Sequence, residues 1–277
     1  MPLLDYIDHA IDVSHFPKLH FVHNLKRCDF EDAKGILRQP DKECNNFPEV
    51  NPIYLFYGKP LFNPYDGEDC DPDTRNWPIC LIIPPDSTVQ IVQMYPFDTG
   101  AYLGEPKPLA KDDMTRFFLD EYNRCIPVSE YELGTNIDTI CRYIITIFGD
   151  NDSYYGDIKD NWKPKCKDEN DILDSFMGEI VASRLYGFIG GTLRVLDNRC
   201  KTAEIHAVGM YDMKDYVVAA VLPNSLFCEI DRFQCVQEAI PFPYDDTKVR
   251  LSEEVVNEIC EKTRIFFEGL GCLAGKK

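Results

Sequence analysis

Between Asn51 and Leu103 the chain repeats one pattern three times: a short apolar and aromatic run, then proline, glycine or aspartate. The runs are Ile53 to Tyr57 before Gly58, Ile79 to Ile83 before Pro84 and Pro85, and Val89 to Tyr95 before Pro96. Runs this short, lacking three-and-four periodicity and bounded by turn-forming residues, fold as strands with tight connections. No other part of the chain is as apolar with so little helical spacing. It is expected to form the central sheet.

The flanking segments alternate between the two periodicities. Residues 1–14 place Leu3, Leu4, Ile7 and Ile11 on one side of an opening helix, and residues 18–23 read as a strand. Phe30, Ala33, Ile36 and Leu37 predict a helix over 29–38 with Asp29 as its cap. Further helices are predicted over 112–125, over 137–148 with Asn136 as cap, over 171–188, and from Ser252 to Phe267. Strands are predicted over 202–208 and 216–222, and 231–244 is expected to be irregular. Strands, then helices, then strands and a last helix argue an α+β fold with central mixed β-sheets flanked by helices. The late strands are too few for a sheet of their own. One domain over 1–277 is expected, with a helix-rich insertion at about 106–190.

Charge narrows the partners. Lys and Arg total 29 against 47 Asp and Glu, a formal net charge of −18. A field of that sign repels phosphate backbones, so a protein substrate or partner is expected and nucleic acid is not. Met1 to Ala10 carries Asp5 and Asp8 without a basic cluster, which is not a signal-peptide pattern. No apolar run nears the ~20 residues that span a bilayer. The expectation is a cytoplasmic protein that does not enter membranes.

Several common chemistries lack their residues. There is no GxxxxGK[ST], no strand-linked GxGxxG, no HExxH and no GxSxG. The acidic loop from Asn63 to Trp77 lacks the ligand spacing of an EF-hand. Asp98, in Pro96-Phe97-Asp98-Thr99-Gly100, sits where an aspartate bonds its own backbone.

One ordered set is more specific. A histidine lies on an early strand (His20 in Leu19-His20-Phe21-Val22-His23), and an aromatic on the next (Tyr54 or Tyr57 in Ile53-Tyr54-Leu55-Phe56-Tyr57-Gly58). A glutamate comes late (Glu204 in Arg199-Cys200-Lys201-Thr202-Ala203-Glu204). The order resembles that of ADP-ribosyltransferases, in particular their DarT-like branch, over about a third of the chain. Val22 stands where that family usually carries Thr or Ser.

The resemblance implies an ADP-ribosyltransferase-like fold and NAD as co-substrate, and it fits an effector or toxin of a microbial conflict system. ADP-ribosyl transfer breaks a glycosidic bond through an oxocarbenium-like state, which a carboxylate stabilises. Under it Glu204, at a partly exposed strand edge, would supply that carboxylate. His20, or His23 beside it, would hold ribose hydroxyls, and Tyr54 or Tyr57 would stack on nicotinamide. Arg199 and Arg194 flank the glutamate and suit a pyrophosphate. The competing reading is a non-catalytic α+β module that binds a protein partner or a small ligand.

The twelve cysteines form no CxxC pair, and Cys228 and Cys235 are the closest neighbours. Zinc sites use close pairs and disulfide frameworks accompany secretion, so free thiols and no metal are expected. Thiol titration under denaturing, non-reducing conditions should therefore give about twelve reactive groups, the full cysteine count. Finding most of them blocked would overturn this reading.

Overall fold

Phe21 and Val22, both fully buried, open a strand that must satisfy its backbone on both sides. This strand, β1 (Phe21–Lys26), does so by pairing antiparallel with β3 (Ile53–Tyr57) on one side and β4 (Pro78–Ile83) on the other. Phe21 lies opposite both Tyr57 and Ile83. The structure is a computed structural model and describes residues 2–7, 9–41, 47–61, 71, 73–100, 128–156, 199–236, 238–247 and 252–275.

A mixed sheet of seven strands grows around β1 in the order β5-β6-β3-β1-β4-β8-β9. The added strands are β5 (Gln90–Tyr95), β6 (Glu204–Val208), β8 (Ala219–Pro223) and β9 (Ile240–Tyr244). β4 pairs antiparallel with β8, and β8 parallel with β9. A separate two-stranded sheet joins β2 (Ile36–Arg38) to β7 (Met210–Asp212).

The chain divides into two compact units. Unit 1 comprises Met1–Phe16, Gln93–Val195 and Arg199–Glu204, and unit 2 comprises Pro17–Val92, Leu196–Asn198 and Ile205–Lys277. The division falls within β5 and after the first residue of β6.

In unit 2, α7 (Ser252–Gly269) lays Val255, Val256, Ile259, Phe266 and Phe267 inward and packs on β8 and β9. Thr263 is buried on the same face, and its hydroxyl donates to the Ile259 carbonyl at 2.9 Å, which satisfies the polar group. α2 (Arg27–Ala33) packs against β1 and β4 and buries Phe30. In unit 1, α1 (Pro2–Tyr6) packs near the short turn at Val128–Tyr131. There too, α3 (Ile137–Ile147) buries Ile140, Cys141, Tyr143, Ile144 and Ile147. Asn136 caps α3 by accepting from the Asp138 amide at 3.0 Å, as its sequence predicts.

The three runs that opened the sequence argument are all strands of the large sheet. Other expectations are corrected. The strand predicted over 18–23 starts at Phe21, so His20 precedes it. The helix predicted over 29–38 is two elements, because Lys34 (φ 50°) and Gly35 (φ 84°) turn left-handed after α2 and the chain continues as β2. Asp29 is not its cap, since Lys26 holds that position without a side-chain bond. A one-turn helix, α5 (Met213–Tyr216), occupies the start of the strand predicted over 216–222. A second, α6 (Asn224–Phe227), follows β8. A third, α4 (Asn151–Tyr155), follows α3, with Asp150 accepting from the Ser153 amide. The predicted helices over 112–125 and 171–188, and most of the insertion at about 106–190, lie outside the described residues.

The segment expected to be irregular contains β9, whose sequence Ile240-Pro241-Phe242-Pro243-Tyr244 argues against a strand. Its place at the sheet edge resolves the conflict. The Ile240 amide donates to Val218 at 2.9 Å, so by alternation Pro241 and Pro243 face away from β8 where no amide is needed. The seven described cysteines that are free include Cys28, Cys80 and Cys141. Among the described residues no helix is long and apolar enough to cross a membrane.

Gly58 ends β3 at φ +71°, donating to the His20 carbonyl at 2.9 Å. A Cβ there would meet Leu19 Cδ1 at 2.4 Å and Leu19 Cβ at 3.0 Å. Backbone strain and overpacking together should make Gly58→Ala destabilising by roughly 2–4 kcal/mol. Urea unfolding measures this, and a loss below ~0.5 kcal/mol would contradict the packing described.

Candidate functional site

A cleft of about 460 Å³ opens in unit 2, walled by β1, α2, β2 and the start of β3. Its size falls in the ~300–1,000 Å³ range of small-molecule sites. β1 places it by changing character along its length: Phe21 and Val22 are buried in the core, whereas His23, Asn24 and Leu25 are half-buried and line the cleft. Ile36, Leu37, Ile53 and Met213 add apolar wall, and Tyr54 lines it from β3.

His23 has a defined proton state. Its Nδ1 lies 2.8 Å from the Tyr54 carbonyl oxygen, which only accepts, so Nδ1 carries the hydrogen. Burial lowers the His23 pKa from the ordinary 6.5, against the Tyr54 carbonyl, which raises it. The neutral ring therefore leaves its lone pair on Nε2, an acceptor for a ligand N–H or O–H. Asn24 donates to the Leu61 carbonyl at 2.8 Å, and its Oδ1 is buried without a hydrogen-bond partner.

The rim is acidic. Asp29 and Asp32 sit three residues apart on α2, hence on one helix face, and both are exposed. Neither has an ion pair among the described residues. Asp41 does, with Arg38 at 3.1 Å. Two uncompensated carboxylates repel phosphate and favour cations and hydroxyl donors.

Unit 1 holds a second polar cluster, at the end of β5 and the start of β6. Asp98 and Glu204 are both buried, with 9% and 1% of their surface exposed. Glu204 Oε1 accepts from the Thr99 hydroxyl at 2.5 Å and Oε2 from the Thr99 amide at 3.2 Å. Asp98 Oδ1 accepts from the Gly100 amide at 2.8 Å, the local backbone bond its sequence predicts. The Asp98 amide donates to the Arg199 carbonyl at 2.9 Å. Burial, then the Glu204 charge and hydrogen bond, push Asp98 up to about 8, against the Gly100 amide and Arg199. Burial pushes Glu204 up to about 7, against the bonds from Thr99 and Asp98. A carboxyl pair titrating near neutrality is suited to giving and taking a proton.

The residues singled out in the sequence fall into separate places. His23 and Tyr54 meet in the cleft of unit 2. His20 does not line it: its ring stands 5.4 Å from Phe266 and 6.0 Å from Phe267, and its Nδ1 is buried without a partner. Tyr57 is fully buried, and its hydroxyl accepts from the Leu19 amide at 2.9 Å, a structural role. Glu204 and Arg199 belong to unit 1. Glu204 is buried within an interior strand, not partly exposed at an edge as expected. Arg194 lies outside the described residues. Sequence reasoning missed Asp29, Asp32 and the pairing of Asp98 with Glu204. The α2 pair had a signal, its i, i+3 spacing; the other, 106 positions apart, had none.

No family model, curated protein or solved structure matches the chain. Among the described residues no group of three His, Cys, Asp or Glu is placed to hold a metal ion.

Burial lowers both His20 and His23 from 6.5. Their protons are bound more tightly by the unfolded chain, so the stability they contribute is present above about pH 6.5 and is lost as pH falls from there through the lower folded values. NMR titration of the ring protons should give both histidines midpoints below 6.5. A midpoint at or above 6.5 for His23 would contradict the neutral ring.

Proposed function

We propose that the protein binds a small ligand in the cleft of unit 2, through a neutral or cationic heterocycle bearing hydroxyl or amide donors. The observation that carries this reading is the convergence of His23 and Tyr54 with the carboxylates of Asp29 and Asp32 on one cleft. Nε2 of His23 accepts from the ligand, the apolar wall covers its ring, and the acidic rim favours positive charge. The nicotinamide riboside end of NAD has this chemistry: a pyridinium cation, a carboxamide and ribose hydroxyls. Its pyrophosphate would then lie away from the acidic rim.

NAD-dependent ADP-ribosyl transfer is the enzymatic form of this proposal. It is supported by the ordered resemblance of His20, Tyr54 or Tyr57 and Glu204 to ADP-ribosyltransferases, and by the neutral-range acid pair of Asp98 and Glu204. Against it, both oxygens of Glu204 are engaged by Thr99 and the carboxylate is buried. Binding is thus the better supported of the two. The non-catalytic module keeps a ligand site that needs no exposed catalytic carboxylate.

Titration calorimetry with nicotinamide riboside, NAD and ADP-ribose tests the proposal. Nicotinamide riboside is expected to bind and ADP-ribose to bind at least ~10-fold more weakly, since one uncompensated charge contact differs by about 1–2 kcal/mol. Asp32→Asn should weaken the cationic ligand about 3- to 10-fold without affecting folding, because the residue is exposed. Absence of binding by all three up to millimolar concentration would overturn the reading. Incubation with labelled NAD and lysate, wild type against Glu204→Gln, separates binding from transfer: transfer lost in the variant supports the enzyme, and no transfer in the wild type leaves the binding module.

A further inference from the structure

β1 is paired along the whole of one edge and only part of the other. Against β4 its ladder runs from Phe21 to Lys26, and against β3 it stops at Val22 opposite Phe56. Strand alternation fixes where each backbone group points. Gly58 donates to the His20 carbonyl and Arg27 to the Trp77 carbonyl, each at 2.9 Å. Odd-numbered residues of β1 therefore bond towards β4 and even-numbered ones towards β3. Pro78, which has no amide to give, stands opposite even-numbered Lys26, as this alternation requires. Asn24 is the next even residue after Val22, so its amide and carbonyl face the side that β3 has left. The Tyr54 carbonyl, due opposite Asn24 if the register continued, accepts from Nδ1 of His23 instead.

β2 has a similar edge. It pairs with β7 through Ile36 and Asp212, Leu37 and Tyr211, and Arg38 and Met210, and with no other strand among the described residues. The Met213 amide donates to the Gly35 carbonyl at 2.8 Å, which makes Gly35 and Met213 a bonded pair of the same ladder. Leu37 is the next residue bonded to β7, and Ile36 and Arg38 turn their amides and carbonyls outward. Asn24, Ile36 and Arg38 all line the cleft of unit 2. Two incomplete strand edges thus border one groove, and such an edge is a template for another strand. We infer that the cleft takes up an extended segment of a partner protein by strand addition, roughly three to five residues long, with basic side chains at alternate positions.

The charge of that segment follows from the rim. Asp29 and Asp32 stand exposed on α2 beside the groove. α2 packs on β1 and β4, so it lies over one face of the sheet, and an added strand turns every second side chain to that face. Lysine or arginine there meets two carboxylates, in a chain whose net charge is −18. Main-chain bonds to Ile36 and Arg38 supply affinity, and the alternate charges select the sequence. The inference goes beyond the small ligand. It uses backbone edges and not Nε2 of His23, so either can fail without the other.

The test is amide NMR on the full chain with an end-capped Lys-Val-Lys-Val-Lys peptide. The amides of Asn24, Ile36 and Arg38 are expected to shift and to gain at least ~10-fold protection from exchange, while Leu37, already paired with Tyr211, changes little. N-methylation of the peptide at its lysines or at its valines, whichever set faces β2, should weaken binding at least ~10-fold. Glutamate in place of the lysines should do the same, and Asp32→Asn, at an exposed position, should weaken the lysine peptide about 3- to 10-fold. Undiminished binding by both N-methylated peptides or by the glutamate peptide overturns the inference. So does a lack of response at Asn24, Ile36 and Arg38 up to millimolar lysine peptide.

Discussion

Everything in unit 2 depends on β1 being paired on both edges. Where both edges are paired, at Phe21 and Val22, the backbone is taken up by neighbouring strands and the side chains are apolar and buried on both faces. Five residues after Phe21 the same strand ends at exposed Lys26. That gradient from core to solvent builds a binding site without a special loop. Where the strand leaves the core it still has ladder partners, with His23 opposite Leu81 and Asn24 opposite Cys80. Its polar side chains are therefore fixed in position by a backbone they do not have to stabilise.

The proton state of His23 follows from the same constraint. β3 runs beside β1, and the Tyr54 carbonyl points at Nδ1. A carbonyl there fixes the tautomer, and burial keeps the second proton off. The result is a ring that accepts at Nε2 near neutral pH, where an unconstrained histidine would be a mixture of forms. An acidic rim a few residues away on α2 would ordinarily favour the protonated ring. Desolvation outweighs it here, because Asp29 and Asp32 are exposed and their field is screened by water.

Sheet-forming runs were legible in the sequence wherever burial and strand propensity agreed. β3 and β4 are almost continuous apolar runs and β5 is one interrupted by Gln90 and Gln93, each bounded by turn residues, and nothing competes with that pattern. β9 was illegible because proline normally marks the end of a strand, and only a parallel edge position makes two alternate prolines harmless. The break between α2 and β2 was half legible. Gly35 is visible as a stop, but the apolar spacing of Ile36 and Leu37 continues the helical pattern by coincidence, and Lys34 in the left-handed region carries no signal at all. In the site, His23 and Tyr54 were visible as polar or aromatic residues on adjacent strands. Glu204 was visible as the late glutamate of the ordered set, but not its burial, which goes with the hydroxyl and amide of Thr99, 105 positions earlier.

The two acid clusters show one residue type doing opposite things. Asp29 and Asp32 lie exposed to water at the rim of the cleft. Asp98 and Glu204 lie in the protein, where burial raises both carboxyls above their ordinary range against the pull of Arg199 and the Thr99 bonds. A pair of well-packed apolar residues at 98 and 204 would often hold such a junction as firmly. The Thr99 hydroxyl and amide would then be left unpaired in the interior, a cost of roughly 1–3 kcal/mol each. Glu204 is thus held in place by donors that need an acceptor, and Asp98 by the Gly100 amide that it accepts from. Each residue of the junction is required by the one before it.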